Sequence, residues 1–121
     1  MRIGAAGLLC LAISAVNINA DAKLALKVTP AMAMAPAYVR VQATVGPDAD
    51  NRVLKIVAQS SEFYRATEIE LHGDSGPRVQ IIEFPAMPSG FYEVSATLHG
   101  GSGQRAAATA LLRVAPAPGQ R

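Results

Sequence analysis

The sequence predicts an all-β domain, a sandwich or barrel of short strands that follows an N-terminal export signal. Apolar and polar residues alternate along most of the chain after residue 22, and clusters of Gly, Pro, Asp and Ser interrupt this alternation at short intervals. Successive side chains of a strand point to opposite faces of its sheet, so alternation gives each strand one face for a core. Several such strands separated by turn residues are typical of sandwiches and barrels.

Seven segments are predicted as strands. Five of them alternate cleanly, namely 23–29, 38–45, 67–72, 92–99 and 105–114. Segment 52–58 is apolar on both faces, as a central strand would be, whereas the inward face of 78–84 stays open. The last segment is rich in alanine and could form a helix on propensity alone. Its alternation, and its position after a glycine-rich turn, favour a strand.

The first twenty residues resemble a secretory signal. Arg2 provides a positive start, residues 3–16 carry no charge, and Ala20 is a small residue suited to signal peptidase. An apolar run of this length matches a signal peptide, while a membrane span needs about 20 apolar residues. We therefore expect a signal peptide at 1–20 and a secreted or periplasmic protein with no integral membrane span; a retained anchor is the alternative.

The domain organisation follows from this cleavage. We expect one domain at 21–114 and a flexible Pro-, Ala- and Gly-containing tail at 115–121. The single cysteine, Cys10, lies in the signal, and Leu8 and Leu9 before it argue against a lipid anchor. The domain would thus be stabilised by core packing without a disulfide.

Charge argues against a nucleic-acid partner. The whole chain has a net charge of +2, and loss of Arg2 with the signal leaves ten basic against nine acidic residues. The basic residues are scattered along the chain, whereas nucleic-acid binding needs a concentrated basic face. The expected partner is an unknown protein or component of the cell envelope.

One segment resembles a known family. The stretch Pro88–Leu98 is similar to the F strand of immunoglobulin-like and fibronectin-type-III-like domains, in which a glycine turn leads into a tyrosine and alternating apolar residues. The resemblance implies an immunoglobulin-like sandwich of about seven antiparallel strands, with Tyr92 as the structural tyrosine corner. It also implies a non-enzymatic binding or accessory module. Because the chain has no tryptophan and no disulfide pair, a bacterial module fits better than an antibody-type domain.

A weaker resemblance suggests copper as an alternative. The Gly90-x-Tyr92-x-Val94 pattern and the export signal are similar to periplasmic copper-resistance sandwiches, although the family's N-terminal histidine and Asp-Gly-His motif are missing. Thioethers are soft ligands that suit Cu(I). The alternative metal ligands are Met32, Met34, Met87 and His99; the competing interpretation is that these methionines fill gaps in packing.

No catalytic residue or cofactor is expected. Gly73-Asp74-Ser75-Gly76 matches the tetrapeptide around the nucleophile of trypsin-like proteases, but that chemistry needs a positioned histidine and aspartate, and the protease fold needs two barrels. Asp, Ser and Gly are common turn residues. The sequence therefore predicts a turn here and a protein that is not an enzyme.

Phe63, Tyr64 and Arg65 form a candidate partner surface between two predicted strands. Aromatic residues and arginine are enriched at interface hot spots. The alternative is that one of the two rings turns inward and caps the core.

Overall fold

The computed structural model describes residues 23–119, and every regular element in this range is a β-strand. The eight strands are β1 (Leu24–Thr29), β2 (Met32–Met34), β3 (Ala37–Val45), β4 (Val53–Ser60), β5 (Phe63–Glu70), β6 (Val79–Met87), β7 (Gly90–Gly100) and β8 (Gly103–Ala115). The all-β prediction is confirmed. The predicted signal peptide lies outside the described residues.

The strands form two sheets of unequal size. One has three strands in the order β1-β3-β6, and the other has five in the order β2-β8-β7-β4-β5. Neighbouring strands are antiparallel except β2, which runs parallel to β8. The sheets face each other, with β1 lying against β8 and β7.

The two inner faces share one apolar core. Along β7 and β8 every second side chain is buried, and the same alternation occurs along β1 and β3. The buried residues of β7 and β8 are Tyr92, Val94, Ala96, Leu98, Ala106, Ala108, Ala110, Leu112 and Val114. The alanine-rich segment is therefore a strand with the predicted face inside.

The strand register places small residues beside large ones. Ala96 of β7 lies between Ile56 of β4 and Ala108 of β8, whereas Leu98 lies between Leu54 and Ala106. All six side chains are at most 8% exposed. Alternating sizes allow the two inner faces to interlock at the density of a protein interior.

β6 departs from simple alternation. Phe84 and Met87 are both buried although three positions separate them. The register with β3 shifts between Ala37 and Val39, and Ala86 has a positive φ of 56°. This irregularity reverses the phase of the strand, so that both large side chains enter the core while Val79 and Ile81 face solvent.

Two element boundaries differ from the prediction. Met32–Met34 forms a short strand where a loop was expected. β5 begins at Phe63, so Phe63, Tyr64 and Arg65 belong to a strand rather than to a connection. Within residues 23–119 there is no helical segment with the length and hydropathy of a bilayer crossing.

The core predicts a clear contrast between a buried and an exposed apolar side chain. Leu98→Ala removes a side chain with 0% exposure and should lower the free energy of unfolding by about 2–5 kcal/mol. Ile81→Ala, at a position on β6 that is 50% exposed, should change it by less than about 0.5 kcal/mol. Urea denaturation followed by circular dichroism measures both, and equal losses would contradict the assigned inner face.

Candidate functional site

A small cavity lies between two loops at one end of the sheets. Its walls come from the β3–β4 loop, residues 46–52, and the β5–β6 loop, residues 71–78, with contributions from the strand ends beside them. The volume is about 50 Å³, which is enough for a few water molecules or a compact ligand group.

Asn51 anchors this cavity. It is 2% exposed, its backbone N–H donates to the Asp48 carbonyl at 3.1 Å, and its own carbonyl accepts from the Gly73 N–H at 3.1 Å. The side-chain Nδ2 donates to the Gly46 carbonyl at 2.9 Å. Because Nδ2 must face that carbonyl, the orientation of the amide is set by its hydrogen bonding.

The other amide atom, Oδ1 of Asn51, is buried and has no hydrogen-bond partner among the described residues. A buried carbonyl oxygen without a partner costs about 1–3 kcal/mol. Asn51 also lines the cavity, so a donor inside the cavity would relieve this cost. Sequence reasoning missed Asn51 because its burial depends on a loop that arrives from twenty residues further along the chain.

The 71–78 loop is held in a tight conformation. Gly73 has φ +64°, and a Cβ there would lie 3.1 Å from the Ala49 carbonyl oxygen. The Ser75 hydroxyl donates to the His72 carbonyl at 2.9 Å. This hydroxyl therefore bonds to backbone, and the Gly73–Gly76 stretch is a turn, as the sequence predicts.

Ion pairs hold the 46–52 loop on its other side. Asp48 accepts from the Arg105 guanidinium at 2.8 Å and from the Asp50 N–H at 2.8 Å. Asp50 lies 3.8 Å from Arg52 and accepts from the Gly101 N–H at 3.1 Å. These contacts connect the loop to the β7–β8 hairpin and keep Asn51 in place.

The cavity walls carry both signs of charge. Glu70, His72, Asp74 and Arg78 line it together with Asn51. The walls thus carry two carboxylates and one guanidinium near Asn51 Oδ1, which has no donor among the described residues. This set of groups favours a ligand that donates hydrogen bonds over an anion.

The predicted copper ligands do not converge on one site, so the structure does not support the copper alternative. Met32 and Met34 are exposed on β2, and Met87 is fully buried in the core. Met32 pairs with Arg113 of β8, and His99 pairs with Gln104 of the same strand, so the two partners lie nine positions apart along β8. At about 3.3 Å per residue this separation is roughly 30 Å, which no single metal ion can bridge.

The candidate partner residues lie on two faces of β5. Phe63 is half-buried against the core, and its ring contacts that of Tyr92 edge to face at 5.4 Å. Arg65 lies over the Phe63 ring at 5.3 Å, whereas Tyr64, 62% exposed, lies on the opposite face. A surface formed by all three stays a prediction, and only Phe63 and Arg65 are in contact.

Tyr92 connects the start of β7 to the preceding turn. Its hydroxyl donates to the Pro88 carbonyl at 2.6 Å, and the residue is 2% exposed. Burial raises the pKa of this phenol above its ordinary value, and a hydrogen bond with Ser60 offsets part of that shift. Its role as a family tyrosine corner stays a prediction.

Comparison with known proteins shows which solved structures share this fold. No protein-family model matches the sequence, and no curated protein is significantly similar to it. The chain is similar in structure to superoxide reductase (neelaredoxin) from Ignicoccus hospitalis, with a TM-score of 0.60 and 11% identity over 81% of this chain and 82% of that one. A variant of that reductase matches with a TM-score of 0.57 and 13% identity over 93% and 91% of the two chains.

A further match is an engineered protein, with a TM-score of 0.50, 19% identity and coverage of 79% of this chain but 21% of the other. Identities this low establish a shared fold alone. The class defined by the comparison is therefore an all-β domain with the fold of superoxide reductases.

This comparison corrects the family resemblance. Three of the solved structures that match are superoxide reductases, so the assignment of the chain to immunoglobulin-like or fibronectin-type-III-like domains is wrong. The Tyr92 motif did not discriminate between these β-folds. The prediction of a non-enzymatic binding module rested on that family and is overturned with it, because the proteins that share the fold are enzymes by name.

The residues of this chain do not fit the redox centre that such a name implies. One-electron oxygen chemistry is carried in proteins by haem, flavin, copper or non-haem iron. Between residues 23 and 119 there is no cluster of three or more His, Cys, Asp or Glu side chains that could hold a metal ion. We therefore derive no redox step for this chain.

The Tyr92 hydrogen bond can be tested directly. Tyr92→Phe keeps the ring and removes the donor to Pro88, which should cost about 0.5–1.5 kcal/mol of unfolding free energy. Tyr64→Phe, at an exposed position of the adjoining sheet region, is the matched control and should cost nothing measurable. Equal effects in urea denaturation would show that the Pro88 contact contributes no stability.

Proposed function

We propose that this protein binds a compact hydrogen-bond donor, an alkylammonium ion or a primary amide, in the Asn51 cavity. The observation that carries the proposal is the Oδ1 atom of Asn51, which is buried, lines the cavity with its residue and has no donor within the part of the chain that the structure describes. A ligand N–H would supply the missing hydrogen bond and release the cost of leaving that oxygen unsatisfied.

The surroundings support a donor of small size. A volume of about 50 Å³ suits a compact ligand group. Glu70 and Asp74 at the walls add negative potential, which favours a cation over an anion in a partly enclosed site. The matching reductases act, by their name, on a small molecule, so a small-ligand site is in keeping with the use of this fold.

Methylammonium is a suitable probe, because it carries three donors on a group of the right size. Titrated into the ¹⁵N-labelled protein at constant ionic strength, it should shift the amide resonances of Gly46, Asn51 and Gly73 along a saturable curve. Acetate, of similar size but an acceptor, should leave these three resonances unshifted.

Two variants separate the site from general effects on folding. Asn51→Leu removes Oδ1 and should abolish saturation, while Gln59→Leu on the exposed part of β4 is the matched control and should bind normally. Ser75→Phe keeps Asn51 and places a bulky ring at the cavity wall, so it should also abolish binding. Saturable binding that survives in folded Asn51→Leu protein, or equal shifts with acetate, would disprove the proposal.

A further inference from the structure

The outer face of the five-stranded sheet carries a cluster of exposed apolar side chains at one end. Met32, Met34, Phe91 and Leu111 are 66%, 54%, 75% and 66% exposed. The register places Met32, Arg113 and Phe91 side by side across β2, β8 and β7. We call this surface, formed by Met32, Met34, Phe91, Glu93, Leu111 and Arg113, the outer patch.

Four side chains form the centre of the outer patch. Phe91 lies opposite Arg113, and two positions further along the strands Glu93 lies opposite Leu111. With about 4.8 Å between strands and about 6.8 Å between alternate residues, they occupy the corners of a rectangle. The charged residues, Glu93 and Arg113, occupy one diagonal, and the apolar residues, Phe91 and Leu111, occupy the other.

Neither charge of this rectangle belongs to an ion pair between residues 23 and 119. The ion pairs among the described residues are Arg40–Glu83, Arg52–Asp50 and Arg105–Asp48, and none of them includes Glu93 or Arg113. The Arg113 guanidinium lies 5.2 Å from the centre of the Phe91 ring. An acid and a base thus stand within one apolar surface without neutralising each other.

This arrangement is complementary to itself. A twofold axis that lies in the interface along the apolar diagonal places Glu93 of one copy near Arg113 of the other, and Arg113 near Glu93. The same operation leaves Phe91 and Leu111 close to the axis, so that each packs on its own counterpart. Isologous dimers require this property, in which one patch meets an identical patch in the partner.

We propose that the outer patch is the interface of a symmetric homodimer, with two Glu93–Arg113 ion pairs across a twofold axis and an apolar centre of Phe91 and Leu111. The partner is a second copy of this chain, because one twofold rotation gives both charged residues an opposite charge and both apolar residues an apolar contact. Met32 and Met34 extend the apolar surface beside this centre, and their flexible side chains adapt to a facing sheet.

The inference is independent of the proposed ligand site. The outer patch lies on the outer sheet face beside the ends of β2 and β8, whereas the Asn51 cavity lies between the loops 46–52 and 71–78. Loss of either function by mutation should therefore leave the other unchanged.

Sedimentation velocity over a wide range of protein concentration tests the dimer. The purified protein should sediment as a dimer at high concentration. Glu93→Arg places one guanidinium group opposite Arg113 in each of the two pairs, and Arg113→Glu places one carboxylate opposite each Glu93; each change should weaken association on the order of a hundredfold. Glu68→Arg, an exposed charge reversal on β5 of the same sheet, is the matched control and should leave the dimer intact.

Two further experiments restore the charge complementarity between the copies. The double variant Glu93→Arg/Arg113→Glu should dimerise again, and mixing the two single variants should give a heterodimer, because each then presents the charges that the other lacks. Leu111→Lys should give a folded monomer. A wild-type monomer at all concentrations would overturn the proposal, as would dimers that persist in both single charge variants or a mixture that stays monomeric.

Discussion

The structure depends on the closure of two alternating apolar faces over each other. The described strands contain no disulfide, since the single cysteine of the chain lies in the predicted signal, so the position of every loop follows from how side chains of β7, β8, β4, β1 and β3 interlock. β7 is central to this arrangement, because it pairs with β4 and β8 and carries Tyr92 and Leu98 into the core. The Asn51 cavity lies between loops at one end of the two sheets. The outer patch lies on the face of β2, β7 and β8 that points away from the core.

Local patterns predicted most strands, because alternation is a property of a few consecutive residues. The alanine-rich run became β8 with the expected side inside, since alanines at every second position fit a close approach of β1. Met32–Met34 was missed because a strand of three residues, in a short segment between Pro30 and Pro36, is too short to show an alternating pattern. The inward face of segment 78–84 could not be assigned, because Val79 and Ile81 are apolar but exposed, while Phe84 and its neighbours on the other face pack inward.

The family and the site could not be predicted, for a different reason. A glycine turn followed by a buried tyrosine strand suits several two-sheet folds, so the Tyr92 motif does not encode the order in which strands pair. Asn51 looks like an ordinary loop residue in the sequence. It becomes a buried acceptor only when Gly73 donates to its carbonyl, a contact between loops separated by two whole strands. Sites created by such long-range contacts leave no local pattern.

The unequal sheets have a consequence for motion. β5 is the outermost strand of the larger sheet, it pairs with β4 alone, and none of its residues is fully buried. Local opening costs least where few apolar groups are covered, so this strand should fray and its amide protons should exchange with solvent well before those of β7. Because β5 leads directly into the loop that closes over Asn51, its fraying would open a route for water and solutes from that side of the molecule.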